Sequence, residues 1–149
     1  MSRKVQENLS SWREFREYIS KFDDDKKIRE VVKYFSSFPI VNYVLDYNVP
    51  EKWITPWEII SDDYYDDIAL SILMCETLVL SGFDAKRFKL KYVTDIVDNS
   101  SFMILVIDGT KVLNFSYNQI VNYNDIKNRI RIIEKIEKTK DSYRKEQSC

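Results

Sequence analysis

One segment near the middle of the chain is apolar around almost its whole circumference when it is read as a helix. Residues 66–81 read DDIALSILMCETLVLS, and Gly82 follows as a natural C-terminal stop. A helix with so little polar face is typical of the interior of a domain, because each of its sides must be kept from water. We therefore predict a largely buried helix over about 66–81.

Further helices are predicted before this segment. Apolar residues recur at helical spacing over 12–22, and Ser11 with Glu14 has the spacing of a capping box that would start this helix. The acidic run 23–25 suits the positive end of a helix dipole and predicts the start of a second helix with inward-facing apolar residues. Thr55-Pro56-Trp57-Glu58 combines an N-cap, a proline at the first helical position and a glutamate three residues after the cap, so it predicts a short helix.

The apolar pattern changes after the central helix from helical spacing to alternation. Residues 88–94 alternate as on a strand with one wetter face, and 101–107 form the continuous apolar run of a central strand. Asp108-Gly109 is a hairpin signal that leads into a return strand over 111–117. This order predicts an α+β fold in which N-terminal helices are followed by an antiparallel β-meander.

The length of 149 residues predicts one domain with a single core. The sequence has no internal repeat and no linker rich in proline, glycine or serine, so the predicted domain covers 1–138. Segment 125–138 places isoleucines at helical spacing, but 129–133 also alternates, and both a helix and a strand stay open there. We predict a charged, flexible tail over 139–149.

The chain contains no histidine, and this excludes several kinds of catalytic site. Ser-His-Asp machinery, Cys-His machinery and histidine-based metal sites all need an imidazole. Neither Gly82 nor Gly109 has a glycine neighbour, so a Gly-rich phosphate loop is also excluded. Cys75 and Cys149 form no disulfide framework or zinc set, and Cys75 is predicted to be a core thiol. Free thiols are typical of reducing compartments, so we expect a cytoplasmic protein.

The charges of the chain nearly balance, with 23 Lys and Arg against 24 Asp and Glu. A net charge of -1 argues against a general nucleic-acid binder. We interpret the basic positions Lys86, Arg87, Lys89 and Lys91 as a solvated face in preference to a nucleic-acid surface. The polar N-terminus is unlike a signal peptide, and no apolar run reaches the ~18 residues of a membrane span, so we expect no membrane association.

Four aspartates and two tyrosines cluster at the start of the predicted buried helix, in 61-SDDYYDDI-68. Asp62, Asp63, Asp66 and Asp67 would offer the carboxylate oxygens that calcium and magnesium prefer, or an acid/base pair across a cleft. The simpler interpretation, which we favour, is that the acidic side chains stabilise the positive end of the helix dipole. The spacing is not that of an EF-hand loop, which needs a glycine at its sharp turn.

Several motifs occur in the chain in a characteristic order. They are 41-VNYVLDY-47 with 53-WITPWEII-60, 66-DDIA-69, 81-SGF-83 with 87-RFKLKYV-93, and 112-VLN-114. Across about residues 38–117 this order resembles the bacterial transglutaminase-like cysteine proteinases, within the wider transglutaminase-like and papain-like group. The resemblance implies a transglutaminase-like core, with the family's nucleophile immediately before the acidic pair.

The residues that carry the family's chemistry are replaced in this chain. By the resemblance, the nucleophilic cysteine falls at Tyr65 and the general-base histidine at Phe102 or Ser101. The Asp or Asn that orients the histidine falls at Asn114, which is a permitted residue type. A phenol with a pKa of about 10 is a poor nucleophile at neutral pH without a base. Phenylalanine neither accepts nor donates a proton, so the resemblance implies a fold that has lost its catalytic machinery.

Some members of the family bind calcium through acidic residues on either side of the cysteine. Those two positions fall at Tyr64 and Asp66 here, so only one acidic ligand remains. A metal-assisted hydrolase that uses Asp62, Asp63, Asp66 and Asp67 is nevertheless the alternative to an inactive protein, because hard cations prefer carboxylate oxygens.

The leading hypothesis is a catalytically inactive transglutaminase-like protein that binds a protein or peptide partner without a cofactor. The predicted binding residues surround the former catalytic cleft and are Trp57, Tyr64, Tyr65, Asp66, Ser101, Phe102 and Asn114. The many Ile, Lys, Asn and Tyr residues are typical of an AT-rich genome, which suggests a phage-encoded modulator of a host protein. The sequence leaves the oligomeric state open.

Overall fold

Helices occupy the N-terminal part of the described chain and strands the C-terminal part. The computed structural model describes residues 3–38, 55–62 and 66–133. Its helices are α1 (Arg3–Ile19), α2 (Asp24–Phe35), α3 (Pro56–Asp62), α4 (Asp67–Leu80) and α5 (Tyr123–Ile126). Its strands are β1 (Phe88–Asp95), β2 (Ser100–Ile107), β3 (Lys111–Leu113), β4 (Val121–Asn122) and β5 (Ile130–Ile132). This order confirms the predicted α+β class.

Helix α4 lies at the centre of the core, as its apolar circumference predicts. Every residue from Ile68 to Leu78 is buried, and Cys75 is among them. The Asp66 carboxylate caps the helix by accepting a hydrogen bond of 2.6 Å from the Ala69 backbone N–H. Gly82, which follows the helix, has a φ of +124°, and glycine is favoured at such a position because it adopts positive φ values without a steric cost.

A lysine from another helix completes the C-terminal end of α4. The buried ammonium of Lys27 in α2 donates a hydrogen bond of 2.5 Å to the Ser81 carbonyl oxygen. A positive charge at the end of a helix is stabilising because the last carbonyl groups carry partial negative charge. Helices α2 and α4 are therefore tied together at this end by an interaction that no local sequence pattern predicts.

Local signals predicted two of the other helix starts. The Asp23 side chain caps α2 through the Lys26 backbone N–H. At the start of α3, Glu58 N–H donates to the Thr55 hydroxyl at 3.1 Å and Thr55 N–H donates back to the Glu58 carboxylate at 3.2 Å. This reciprocal pair is the capping box that the Thr-Pro-Trp-Glu motif predicts.

The predicted start of the first helix is wrong. Helix α1 begins at Arg3, and Ser11 with Glu14 lies in its interior. Leu9 packs against the core next to the buried Trp12, so the apolar face continues on the N-terminal side of Ser11. Packing along this face outweighs the local capping pattern, because tertiary contacts supply most of the stability of a helix.

The strands form one antiparallel sheet in the order β4-β3-β2-β1-β5. Strands β1 and β2 pair along their full length, with Leu90 opposite Leu105 and Tyr92 opposite Met103. These four side chains belong to the same buried cluster as helix α4. The opposite face of the sheet carries a smaller cluster that includes Val93, Ile104, Val106, Val112 and Ile126.

The C-terminal segment that the sequence left open contains both kinds of element within its described part. The short helix α5 ends at Ile126, and β5 then pairs with the free edge of β1, with Ile132 opposite Val93. Strands β1 to β4 are consecutive neighbours, as in a meander, and β5 pairs with β1 at the opposite edge of the sheet. The return strand is shorter than the predicted 111–117, because β3 covers only Lys111–Leu113 and the positive φ of Asn114 ends it. The tail 139–149 lies outside the described residues.

Candidate functional site

The first turn of α4, the start of β2 and the segment after β3 meet around one cavity. Its volume is about 260 Å³, and helix α2 also contributes to its lining. Phe35 of α2, Asp67 and Leu70 of α4, Phe102 of β2 and the segment 114–119 all contribute to its lining. Four parts of the chain that are distant in sequence therefore share one concave surface.

Asn114 fixes the position of the segment after β3. Its backbone has a φ of +68°, which asparagine tolerates better than most residues. Its amide nitrogen lies 3.0 Å from the Asp67 carbonyl oxygen, 2.9 Å from the Ser71 hydroxyl and 3.1 Å from the Met103 carbonyl oxygen. Since the amide has two N–H groups for these three acceptors, its donor capacity is fully used. Asn114 thereby connects the end of β3 to both α4 and β2.

Asp67 connects the same helix to the same strand through its carboxylate. The Met103 backbone N–H donates a hydrogen bond of 2.6 Å to Asp67 Oδ2. Burial raises the pKa of Asp67 above its usual range, the nearby Asp66 charge acts in the same direction, and the Met103 hydrogen bond opposes them. No lysine or arginine in the described ranges forms an ion pair with this carboxylate.

Five aromatic residues contribute to the remaining cavity wall, namely Phe35, Phe38, Phe102, Phe115 and Tyr117. The ring centroids of Phe102 and Phe115 are 5.7 Å apart, and those of Phe35 and Phe38 are 4.9 Å apart. The Tyr117 hydroxyl donates a hydrogen bond of 2.9 Å to the Ser36 carbonyl oxygen and so connects the segment 114–119 to the end of α2. The cavity thus has an apolar wall and a polar edge at the N-terminus of α4.

The structure brings together two of the residues that the sequence assigned to binding. Phe102 and Asn114 both line the cavity. Tyr64 and Tyr65 lie outside the described residues. The part that each of these four residues takes in binding stays a prediction.

The other predicted binding residues, Trp57, Asp66 and Ser101, are not among the residues that line the cavity. Ser101 is exposed on β2, where its hydroxyl lies 2.8 Å from the Thr94 hydroxyl on β1. The Trp57 ring packs edge-on against Trp12 at a centroid distance of 5.6 Å. Asp66 is buried and caps α4. The part that these three residues take in binding stays a prediction.

Sequence reasoning missed the support that Ser71 gives to this site. Its hydroxyl accepts from Asn114 and lies 3.2 Å from the Met103 carbonyl oxygen, to which it donates. One signal was available, because Ser71 lies four residues after Asp67 on an otherwise apolar stretch and therefore on the same helix face. The aromatic wall from 114–119 carried no comparable signal.

The acidic cluster does not assemble into a metal centre within the part of the chain that the structure describes. Asp66 and Asp67 each accept a hydrogen bond from a backbone N–H. Asp63 lies outside the described residues, and only the backbone of Asp62 is described, at the end of α3. Across 3–38, 55–62 and 66–133 there is no group of three side chains of the metal-binding types. Calcium takes six to eight oxygen ligands, so Asp66 and Asp67 alone do not meet its needs.

The basic positions that precede and enter β1 are partly neutralised. Arg87 forms ion pairs of 2.9 Å with Asp24 and 2.7 Å with Asp108. These two carboxylates raise the pKa of the Arg87 guanidinium. Pairing of this kind supports the interpretation of a solvated face. Among the described helices, none combines the length and the apolarity that crossing a membrane requires.

Solved structures of LapG from Legionella pneumophila have the same fold. Calcium-bound LapG has a TM-score of 0.74 and 15% sequence identity over 89% of this chain and 76% of its own. Two further LapG structures, one of them EGTA-treated, have a TM-score of 0.74 and 17% identity over 89% of this chain and 74% of theirs. No protein-family model and no curated protein matches the sequence. The likeness shows the transglutaminase-like fold, with helices packed on an antiparallel sheet.

Proposed function

We propose that this chain is a non-catalytic binding module of the transglutaminase-like fold, which holds a peptide segment of a protein partner in the cavity beside α4. The observation that carries the proposal is the cavity of about 260 Å³, lined by Phe102 and Asn114, two positions that the resemblance assigns to catalysis. The many Ile, Lys, Asn and Tyr residues are typical of an AT-rich genome, and they support the further proposal that a phage encodes this module to modulate a host protein.

Phe102 and Asn114, at two of the positions that the resemblance assigns to catalysis, are poorly suited to moving protons. Phe102 has no titratable group, and the sequence contains no imidazole to replace it. Asn114 uses its N–H groups to hold α4 and β2 in place. A side chain with both N–H groups engaged in this way stabilises the shape of the cavity and has no donor left for a reacting group.

The size and lining of the cavity support a peptide ligand. Cavities that bury drug-sized molecules measure roughly 300–1,000 Å³, so about 260 Å³ suits one large side chain with its flanking backbone. The rings of Phe35, Phe102 and Phe115 offer flat apolar area against which such a side chain can be buried. Aromatic surfaces of this kind are favoured anchors at protein interfaces.

Affinity selection from a degenerate hexapeptide library tests the proposal. The purified chain is incubated with the library, and the retained peptides are identified by mass spectrometry. The test variant Phe102→Ala removes a ring from the wall, and the control Ile96→Ala removes an apolar side chain that is 54% exposed outside the cavity. We expect the wild type and Ile96→Ala to enrich the same peptides and Phe102→Ala to lose them, with every retained peptide intact.

Two results would contradict this proposal in different ways. If the wild type enriches no peptide, the cavity is not a peptide-binding site. If the retained peptides are cleaved and Phe102→Ala abolishes the cleavage, the module is catalytic.

A cation titration separates the binding module from the alternative of a metal-assisted hydrolase. One LapG structure is calcium-bound, and Asp66 and Asp67 of the acidic cluster lie at the start of α4. A cation that binds the folded state raises the melting temperature by mass action. Because Asp66 and Asp67 are already engaged with backbone N–H groups, we expect the same melting curve with calcium, magnesium or manganese as with EGTA. A concentration-dependent rise, together with metal-stimulated peptide hydrolysis, would favour the alternative.

A further inference from the structure

The described lining of the cavity carries a negative charge and no positive one. Among the described residues that line it, Asp67 is the single acidic side chain, and none is a lysine or an arginine. The positive end of the α4 dipole offsets part of the Asp67 charge, while the adjacent Asp66 adds to the negative potential. The net field therefore favours a ligand that brings a cation.

A second hydrogen-bond acceptor lies in the same lining. The amide nitrogen of Asn114 is engaged by Asp67, Ser71 and Met103. No described residue donates to the side-chain oxygen of Asn114, so this oxygen stays available to a ligand. The Asp67 carboxylate and the Asn114 side-chain oxygen are two acceptors of this lining, and a ligand that uses both of them supplies N–H donors.

The aromatic wall favours a flat cation over a compact one. A guanidinium stacks on ring faces and donates several hydrogen bonds in its own plane, whereas an ammonium is a strongly hydrated point charge. The chain already uses this contact elsewhere, since the Arg87 guanidinium lies 4.5 Å from the centroid of the Phe83 ring. Phe102 and Phe115 line the same cavity as the two acceptors, and both also pack against the hydrophobic cluster on the other face of the sheet.

One arginine of the chain, Arg129, already lies near the Phe115 ring, and its guanidinium is bound by a carboxylate other than Asp67. The Arg129 guanidinium lies 5.5 Å from the Phe115 ring centroid. Asp95 accepts hydrogen bonds of 2.9 Å from Arg129 Nε and 2.8 Å from its Nη2. Arg129 is therefore committed to Asp95 and does not neutralise Asp67.

We propose that the cavity selects an arginine side chain of the partner peptide. The guanidinium would lie against the rings of Phe102 and Phe115 and donate hydrogen bonds to the Asp67 carboxylate and the Asn114 side-chain oxygen. This inference rests on the proposed function and adds to it the chemical class of the recognised residue.

Calorimetric titration with five-residue probes tests the inference. The probes are blocked peptides Ac-Ala-Ala-X-Ala-Ala-NH2 in which X is arginine, citrulline, lysine or norleucine. Citrulline keeps the shape of arginine and lacks its charge. Because a hydrogen bond to a charged group is worth more than a neutral one, we expect the arginine probe to bind about tenfold or more tightly than the citrulline probe. We expect the lysine probe to fall between them.

Two matched variants locate the charge effect. In Asp67→Asn, the new amide oxygen can still accept the Met103 N–H, so the fold is kept while the charge is removed. We expect this variant to lose the preference for arginine over citrulline. Asp125→Asn makes the same charge change at an exposed position of α5 outside the cavity and should keep the full preference.

The outcomes separate this inference from the proposed function. Equal affinity for the arginine, citrulline and norleucine probes, lost in Phe102→Ala, would overturn the arginine preference and leave the peptide-binding module in place. An arginine preference that persists in Asp67→Asn would overturn the assignment of Asp67, and lysine binding as tightly as arginine would overturn the stacked guanidinium. Binding of no probe, together with no enrichment from the hexapeptide library, would remove the inference and the proposed function together.

Discussion

Replacing Asn114 should destabilise the fold more than its half-buried position suggests. In Asn114→Ala, the two amide N–H groups that serve Asp67, Ser71 and Met103 are lost. Net contributions of 0.5–1.5 kcal/mol for each hydrogen bond give about 1–3 kcal/mol for the pair. Alanine at the φ of +68° adds a backbone cost of about 1–2 kcal/mol. The expected loss is about 2–5 kcal/mol out of a typical total of roughly 5–15 kcal/mol.

Two companion variants separate the side-chain cost from the backbone cost. Asn114→Gly also loses the amide but relieves the backbone, so it should be about 1 kcal/mol more stable than Asn114→Ala. Asn99→Ala places alanine at a similar φ of +60° in an exposed turn outside the cavity. It should therefore show only the backbone cost of about 1–2 kcal/mol.

Urea unfolding followed by far-UV circular dichroism measures all three free energies of unfolding at neutral pH. The three variants should have the same dependence on urea concentration, since they change stability and not the surface that unfolding exposes. If Asn114→Ala lies within about 0.5 kcal/mol of Asn99→Ala, the hydrogen bonds of Asn114 contribute nothing net. The account of Asn114 as the connection between β3, α4 and β2 would then be wrong.

Three further predictions concern the core around α4. Burial raises the pKa of Asp67 above its unfolded value. The stability that the Asp67 carboxyl group contributes is therefore full below about pH 4 and is lost as the pH rises through the folded-state pKa. Urea unfolding at stepped pH should show the wild type losing stability relative to Asp67→Asn over that range. Lys27→Met removes the hydrogen bond to the Ser81 carbonyl and should cost about 1–2 kcal/mol, and an unchanged urea midpoint would contradict this. Thr77→Val leaves the buried Trp12 indole N–H, now 2.9 Å from the Thr77 hydroxyl, without its acceptor; we expect a loss of about 1–3 kcal/mol, with Thr77→Ser as the control that keeps the acceptor.

The sequence predicted the helices whose ends are set by residues close to them in the sequence. Helix α4 occupies Asp67–Leu80 within the predicted 66–81, because its apolar circumference and Gly82 are both visible in the sequence. The start of α1 was missed because Ser11 has the local pattern of a cap while the apolar face continues past it. In that case packing against other elements decided the boundary.

The candidate site was only partly visible in the sequence. Phe102 and Asn114 were placed in one cleft by the resemblance of the surrounding motifs, and both line the cavity. The contacts of Asn114 with Ser71 and Met103 bridge elements that periodicity treats separately. Such long-range hydrogen bonds depend on the tertiary arrangement that brings the end of β3 next to α4. The spacing of residues within one element does not predict them.

An NMR titration of the ¹⁵N-labelled chain with a peptide from the library selection tests the central claim most directly. The account predicts shifts of the Asn114 side-chain amide and of backbone amides at Phe102 and 115–119, with the peptide intact throughout. Shifts confined to residues outside the cavity, or the appearance of peptide fragments in the same sample, would contradict it.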